Sequence, residues 1–133
     1  MGDVTQLPGP HPFAELIGLA VEAMAEGRSR TALEVRPALL NPHGVLHGAV
    51  MYALADTGMG AAVYSGLRQG ERCATIEIKL VHIAPVSSGR VTCVTGTVHR
   101  GGRVVVLESE LRCGDVLVAK ALGTYAVTGA PGR

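Results

Sequence analysis

The sequence is poor in aromatic residues: it has no tryptophan, a single phenylalanine, and an aromatic content of only 3 %. Set against 18 glycines, this points to elements packed with their backbones close together and joined by many turns. Cysteine is also sparse. The three that occur, Cys73, Cys93 and Cys113, are odd in number and show no C-x-x-C spacing, so free thiols of a cytoplasmic protein are expected rather than a disulfide framework. Charge is nearly balanced at +1, which gives no electrostatic footprint for nucleic acid. No apolar run approaches the ~18 residues of a membrane span. The opening Met1-Gly2-Asp3-Val4-Thr5-Gln6 has no basic region leading into an apolar one, so no signal peptide is expected. Gln6 stands where N-myristoylation needs Ser or Thr.

What the chain does have is a hydrophobic content of 47 %, enough to bury a core. Its length fits one domain over residues 1–133, with the core at about 12–127. There is no internal repeat, linker or low-complexity tract. Residues 1–11 and 128–133, rich in Gly and Pro, read as loose ends. Pro12 to Ile17 reads as a short helix with Pro in its first turn. Pro37 to Leu46 reads as loop, with Asn41-Pro42 as a turn signal. A long apolar helix is expected from about His47 to Ser65, stopped by Gly66. Four strand patterns follow, Ala74–Ile83, Gly89–Arg100, Arg103–Cys113 and Val116–Val127, with turns at Ser87-Ser88-Gly89, Gly101-Gly102 and Gly114-Asp115. Turns this short between strands this long make an antiparallel sheet. The helix needs cover on most of its surface, and a curved sheet provides it. The expected class is α+β, one long central helix wrapped by a curved antiparallel sheet of five to six strands.

The chemistry concentrates in Asn41-Pro-His-Gly-Val-Leu-His-Gly-Ala-Val-Met-Tyr-Ala-Leu-Ala-Asp56. A polar, Gly-containing loop ends at His47-Gly48 and runs straight into the small-residue helix, whose one acid is Asp56. A carboxylate in such a helix costs free energy unless it is paired or used. A helix start opened by Gly offers unpaired backbone N–H groups and a positive dipole end. An oxyanion site and a base or nucleophile are the two parts acyl transfer needs. On one helix, however, Gly48 and Asp56 are separated by roughly 12 Å of rise and about 80° of rotation. A reacting carbonyl must lie about 3 Å from both groups. Two antiparallel copies of the helix satisfy this, Gly48 of one facing Asp56 of the other, so an acyl-transfer site here calls for a dimer with shared sites.

The pattern of Asn41, Gly44, His47-Gly48 and Asp56, followed by Thr75-Ile-Glu-Ile-Lys-Leu-Val-His-Ile-Ala-Pro85, resembles the hotdog-fold acyl-CoA thioesterases. Within them it is similar to the phenylacetate-pathway (PaaI-like) branch, and the resemblance runs from about Pro12 to Val127. The chain departs from the family's His-Gly-Gly in one place, where Ala49 takes the third position; Ala is small and a good helix former. The resemblance implies a hotdog fold and hydrolysis of an acyl- or arylacyl-CoA, with phenylacetyl the first guess. It implies no cofactor, coenzyme A being part of the substrate, and a homodimer or a homotetramer built as a dimer of dimers. It also implies a strand at residues 19–25, where propensity alone favours helix. That strand would turn at Glu26-Gly27 into Arg28–Arg36, a hairpin that the alternation of Thr31-Ala-Leu-Glu-Val supports.

Each candidate residue has a plainer alternative. Asp56 is read as general base or covalent nucleophile; a structural acid is the alternative. Gly48 is read as the oxyanion donor through its N–H; a glycine chosen for close packing is compatible with this. His47 either polarises that peptide and orients the loop or simply caps the helix. Asn41 stands where the family places an amide that orients water or thioester, and a turn Asn before Pro42 is the alternative. Thr75 falls where relatives carry a hydroxyl that positions the attacking water. Strand parity opposes this, because Ile76, Ile78 and Leu80 read as the core face and turn Thr75 away unless a bulge intervenes. Arg100 and Arg103, flanking Gly101-Gly102, either meet the phosphates of coenzyme A or form a solvated hairpin tip. His43 and His47 are four apart but lie in loop with no third ligand, so no metal is expected. Gly58-Met-Gly60 lies inside the helix and is no dinucleotide fingerprint. His82 and His99 read as ordinary strand residues. A non-catalytic acyl-CoA-binding hotdog module and a hotdog dehydratase or hydratase are the rival functions.

Overall fold

The computed structural model describes residues 10–129; most of the two expected loose ends, 1–11 and 128–133, lies outside them. A short helix α1 (Pro12–Ile17) precedes the hairpin β1 (Ala20–Ala25) and β2 (Arg28–Glu34), then the long helix α2 (Gly48–Tyr64). Four strands follow: β3 (Arg72–His82), β4 (Arg90–Arg100), β5 (Val104–Cys113) and β6 (Val116–Thr128). They form one antiparallel sheet in the order β1-β2-β4-β5-β6-β3. Residues 19–25 thus hold the strand of a hairpin despite their helix propensity. Pairing with the alternating β2 decides the matter, since propensity is a weak prior against tertiary burial.

The sheet curves around α2, which touches all six strands. This is the hotdog arrangement. The buried residues of α2, among them Val50, Leu54, Met59, Ala62 and Val63, point in nearly every direction around its axis, so it has no polar face to turn to water. Much of the core is aliphatic, with Met24, Leu33, Leu107 and Leu111 fully buried around the helix. Beneath the middle of α2, though, the sheet presents hydroxyls. Ser29 Oγ donates to the carbonyl of Gly58 at 2.5 Å, and Thr31 Oγ1 to that of Leu54 at 3.0 Å. Thr95 and Ser109 pair with each other at 2.7 Å. All four side chains are buried, and being satisfied they cost little. They tie the helix to one position along the sheet, on both sides of Asp56.

Strand β3 corrects the expected parity. Thr75 is registered against Tyr125 and Glu77 against Thr124, so Ile76 is an extra, bulged residue. It is 54 % exposed and is not part of the core face assigned to it from the sequence. The bulge puts Cys73 and Thr75 on the helix side together with Ile78, Leu80 and His82. Alternation on a regular strand would have kept the two sets apart. Across from Ile78, two residues past the bulge, Gly123 lets β6 pass close under α2. A Cβ there would stand 2.5 Å from Met59 Sδ and 3.0 Å from Ile78 Cγ1. Gly123→Ala is therefore expected to overpack this crossing and cost about 1–3 kcal/mol. A lower urea midpoint with an unchanged m-value, measured at fixed protein concentration, is the check; an unshifted midpoint refutes the tight crossing.

Candidate active site

Asp56 sits mid-helix and half-buried, where β3 and β6 cross α2. Thr75 Oγ1 donates to its Oδ1 at 2.8 Å. The hydroxyl of Tyr125, Thr75's cross-strand partner, shares its proton between the same Oδ1 and the main-chain carbonyl of Asp56, the latter at 2.6 Å. Two hydroxyls thus hold one carboxylate oxygen, and Oδ2 has no partner among the described residues. Burial first, then the bond to Asp56, pushes the Tyr125 phenol far above its usual range, so it remains a donor at any working pH. Cys73 lines the same cavity of about 330 Å³, with Ala53, Gly60 and Tyr64. Burial, then the charge of Asp56, pushes its thiol up as well. It stays protonated and is no candidate nucleophile.

The start of α2 carries the second group of residues. His47 is the N-cap, with extended backbone, and its Nδ1 accepts from Ala49 N–H at 2.9 Å. That contact makes Nδ1 the acceptor and leaves Nε2 as the ring's donor. The N–H of Val50 goes to the carbonyl of His47 at 2.9 Å. The Gly48 N–H has no partner among the described residues and stands free at the positive end of the helix. Asn41 spends its Oδ1 on the loop, accepting from His43 N–H at 2.9 Å and Val45 N–H at 3.4 Å, and this leaves its amide NH₂ available. Asn41 and Gly48 line a cavity of about 340 Å³ with Met51, His82 and Pro85.

The two groups do not meet within the chain. Asp56, Thr75 and Tyr125 line one cavity, Asn41 and Gly48 another. His47 borders a third hollow with Phe13 and Leu39. Arg100 and Arg103 lie at the exposed β4–β5 tip and line neither of the first two. Arg68 and Arg72 border a larger hollow of about 820 Å³ that shares Tyr64 and Cys73 with the Asp56 cavity. Among the described residues no three of His, Cys, Asp or Glu converge to hold a metal, and no helix is long and apolar enough to cross a membrane. Reasoning from sequence missed Tyr125 and His82. Both lie in alternating strands: the parity of Ile78 and Leu80 sends His82 to the helix side, but nothing in the sequence places it against Gly48, and only the register of β6 sets Tyr125 beside Thr75 and Asp56.

Residues 43–120 match the family model of the thioesterase superfamily. Among solved structures, conserved protein PA5202 from Pseudomonas aeruginosa is 36 % identical, with a TM-score of 0.85 over 90 % of this chain and 95 % of that one. A mutant of the phenylacetic acid degradation protein PaaI from Thermus thermophilus is 30 % identical, with a TM-score of 0.80 over 87 % of this chain and 98 % of that one. The medium/long-chain acyl-CoA thioesterase YigI of Salmonella typhimurium is 26 % identical over 132 residues, covering 87 % of this chain and 85 % of that one.

The Tyr125 environment has a spectroscopic consequence. A raised folded-state value means that stability is complete below the unfolded tyrosine range near pH ~10 and declines as pH climbs above it. Ultraviolet titration should show a tyrosine component that ionises only on alkaline unfolding, and Tyr125→Phe should remove that component alone. Ionisation of all three tyrosines in the folded wild type would contradict the Tyr125 geometry.

Proposed function

This chain belongs to the thioesterase superfamily and is a thioester hydrolase; from that premise we propose that it hydrolyses acyl- or arylacyl-CoA to free acid and coenzyme A in sites shared by two copies of the chain. The observation that carries the reading is the pairing of a free Gly48 N–H at one end of α2 with a hydroxyl-held Asp56 carboxylate further along, each facing its own cavity. Separation along one helix, roughly 12 Å by rise, keeps them from acting on one carbonyl within a chain. The means of joining them is the edge of the sheet. β3 pairs only with β6 among the described residues, so its other edge is open over 11 residues. Two such edges pairing antiparallel about Ile78 set residue 82 of one copy opposite residue 74 of the other, bringing each Gly48 toward the partner's Asp56.

In the proposed mechanism the thioester carbonyl accepts from Gly48 N–H, and Asn41 NH₂ orients the substrate or water from the adjoining loop. Oδ2 of the partner's Asp56 takes a proton from water as its oxygen adds to the carbonyl carbon, while Thr75 and Tyr125 hold Oδ1. The oxyanion is stabilised at the helix start. It then collapses, the C–S bond breaks, and the thiolate leaves with the proton held by Asp56. His47 acts as a cap that sets the angle of the Gly48 peptide. The phosphates of coenzyme A go to the basic end of the sheet, Arg68 and Arg72 with Arg100 and Arg103 at the neighbouring hairpin tip. No cofactor enters these steps. Three free thiols and a coenzyme A thioester suit a cytoplasmic setting, and a dimer of dimers remains compatible with the shared pair. An arylacyl group such as phenylacetyl is the first substrate to try.

A panel of acyl-CoA thioesters read by release of free thiol tests the activity; no turnover with any member rejects the reading. The shared site is tested by complementation. Asp56→Asn and Gly48→Pro should each lower turnover by ~10²–10³. The extended His47 accepts a following proline, and the lesion breaks the helix-start half of the site. A verified heterodimer of the two variants carries both lesions at one site and none at the other, and should regain about half of the wild-type rate per dimer. Heterodimers with no recovery, formed from folded parents, would exclude the cross-subunit arrangement.

A further inference from the structure

His82 stands at the end of β3, registered against Ala119. Regular alternation from Ile78 and Leu80 puts it on the helix side of the strand, and its ring meets the first residue of α2. A Cβ built on Gly48 would lie 2.8 Å from His82 Cε1 and 3.0 Å from its Nε2. The imidazole therefore occupies the space that any side chain at position 48 would take. This gives Gly48 a reason to be glycine that is independent of its N–H. The ring makes no hydrogen bond among the described residues, although it lines the same cavity as Gly48 and Asn41. A solvated histidine with no structural partner, lying against a helix start with a free N–H, has its ring nitrogens available to whatever that N–H binds.

We propose that His82 is a catalytic residue of the thioester hydrolysis, donating the second hydrogen bond to the carbonyl oxygen that Gly48 N–H receives. This rests on the shared-site reading above. An oxygen accepting from Gly48 N–H sits beside the Cα against which the imidazole lies, within reach of a ring N–H. As water adds, the carbonyl π pair moves onto that oxygen, and two donors rather than one receive the charge. His82 loses no proton in the step; the water proton still passes to Asp56 and from there to the thiolate. Two donors on one oxyanion are worth more than one when both are held in place beforehand, since neither must reorganise as charge develops. The ring is held by the strand behind it, and Gly48 provides the recess it fills.

Three variants of the full chain separate donation from packing. His82→Phe keeps a ring in the recess and removes the donor. It should lower kcat by ~10²–10³ with KM changed less than about threefold, the pattern of an interaction made mainly in the transition state. His82→Gln restores an N–H near the position of Nε2 and should recover tenfold or more of that loss. Gly48→Ala keeps the backbone N–H, but its methyl group displaces the imidazole. It should lower kcat in the wild-type background and add little in the His82→Phe background. Circular dichroism and the dimer's sedimentation establish that each variant is folded, and His82→Ala takes the place of the Phe variant if that one aggregates. Wild-type kcat in His82→Phe, a loss confined to KM, or equal losses for Phe and Gln would overturn the proposal while leaving thioester hydrolysis intact. A wild-type protein that releases no thiol from any acyl-CoA removes the underlying reading and this proposal with it.

Discussion

A helix with no polar face to offer solvent dictates most of this architecture. The buried side chains of α2 point almost all the way round, so a flat sheet would leave much of its surface wet, and the strands must curl about it. Small residues make the curl possible. Gly58 lies over the hydroxyls of Ser29, Thr31 and Thr95, with a would-be Cβ 2.9 Å from Thr95 Oγ1, and Gly123 carries β6 close beneath Met59. What the sheet leaves uncovered is limited: the first turn of the helix, and the strip that includes Asp56. The candidate chemistry occupies those two gaps, and the satisfied hydroxyls beneath Leu54 and Gly58 keep the helix from sliding between them.

Strand β3 serves both gaps at once, which a regular strand cannot do. Thr75 and His82 are an odd number of positions apart, so unbroken alternation sends one of them to solvent whenever the other faces the helix. One bulged residue, Ile76, removes the conflict. The cost is an isoleucine left half in water and one lost ladder position. In return a single strand delivers a hydroxyl to the carboxylate and an imidazole to the helix start. Bulges next to sites of chemistry commonly re-aim side chains in this way.

The long elements were legible in the sequence because their signals are local. Pro12 opens α1, the apolar run after Gly48 can only be a buried helix, and the Gly-rich turns set off β4, β5 and β6. The strand at Ala20–Ala25 was legible only indirectly, through the family resemblance and the alternating segment beyond the Glu26-Gly27 turn, since Leu19-Ala-Val-Glu-Ala-Met-Ala carries helix-forming residues and its strand state comes from pairing with β2. Side-chain direction was the weaker inference. Alternation put Ile76 in the core, whereas the bulge that exposes it shows only in the pairing with β6, far away in the chain. Tyr125 and His82 were missed because their partners are distant in the chain: alternation sends His82 to the helix side with Ile78 and Leu80, but its contact with Gly48 and that of Tyr125 with Asp56 come from how the strands seat on α2. The capping contact of His47 and the turn contacts of Asn41, by contrast, are short-range and follow from residue type.

The open edge of β3 also bears on the behaviour of the newly made chain. A strand of 11 residues with unpaired N–H and carbonyl groups along one edge and with Ile76 and Val81 exposed is a template on which other chains can stack. Freshly made protein presents that template, so yield and solubility depend on what keeps other chains from stacking on it. The strand carries its own safeguards. Glu77 and Lys79 break the apolar run with opposite charges, and the bulge twists the edge away from the flat geometry that fibrils need. Replacing those two charged residues to strengthen the strand would trade folding fidelity for edge affinity, and aggregation during synthesis would be the first sign of it.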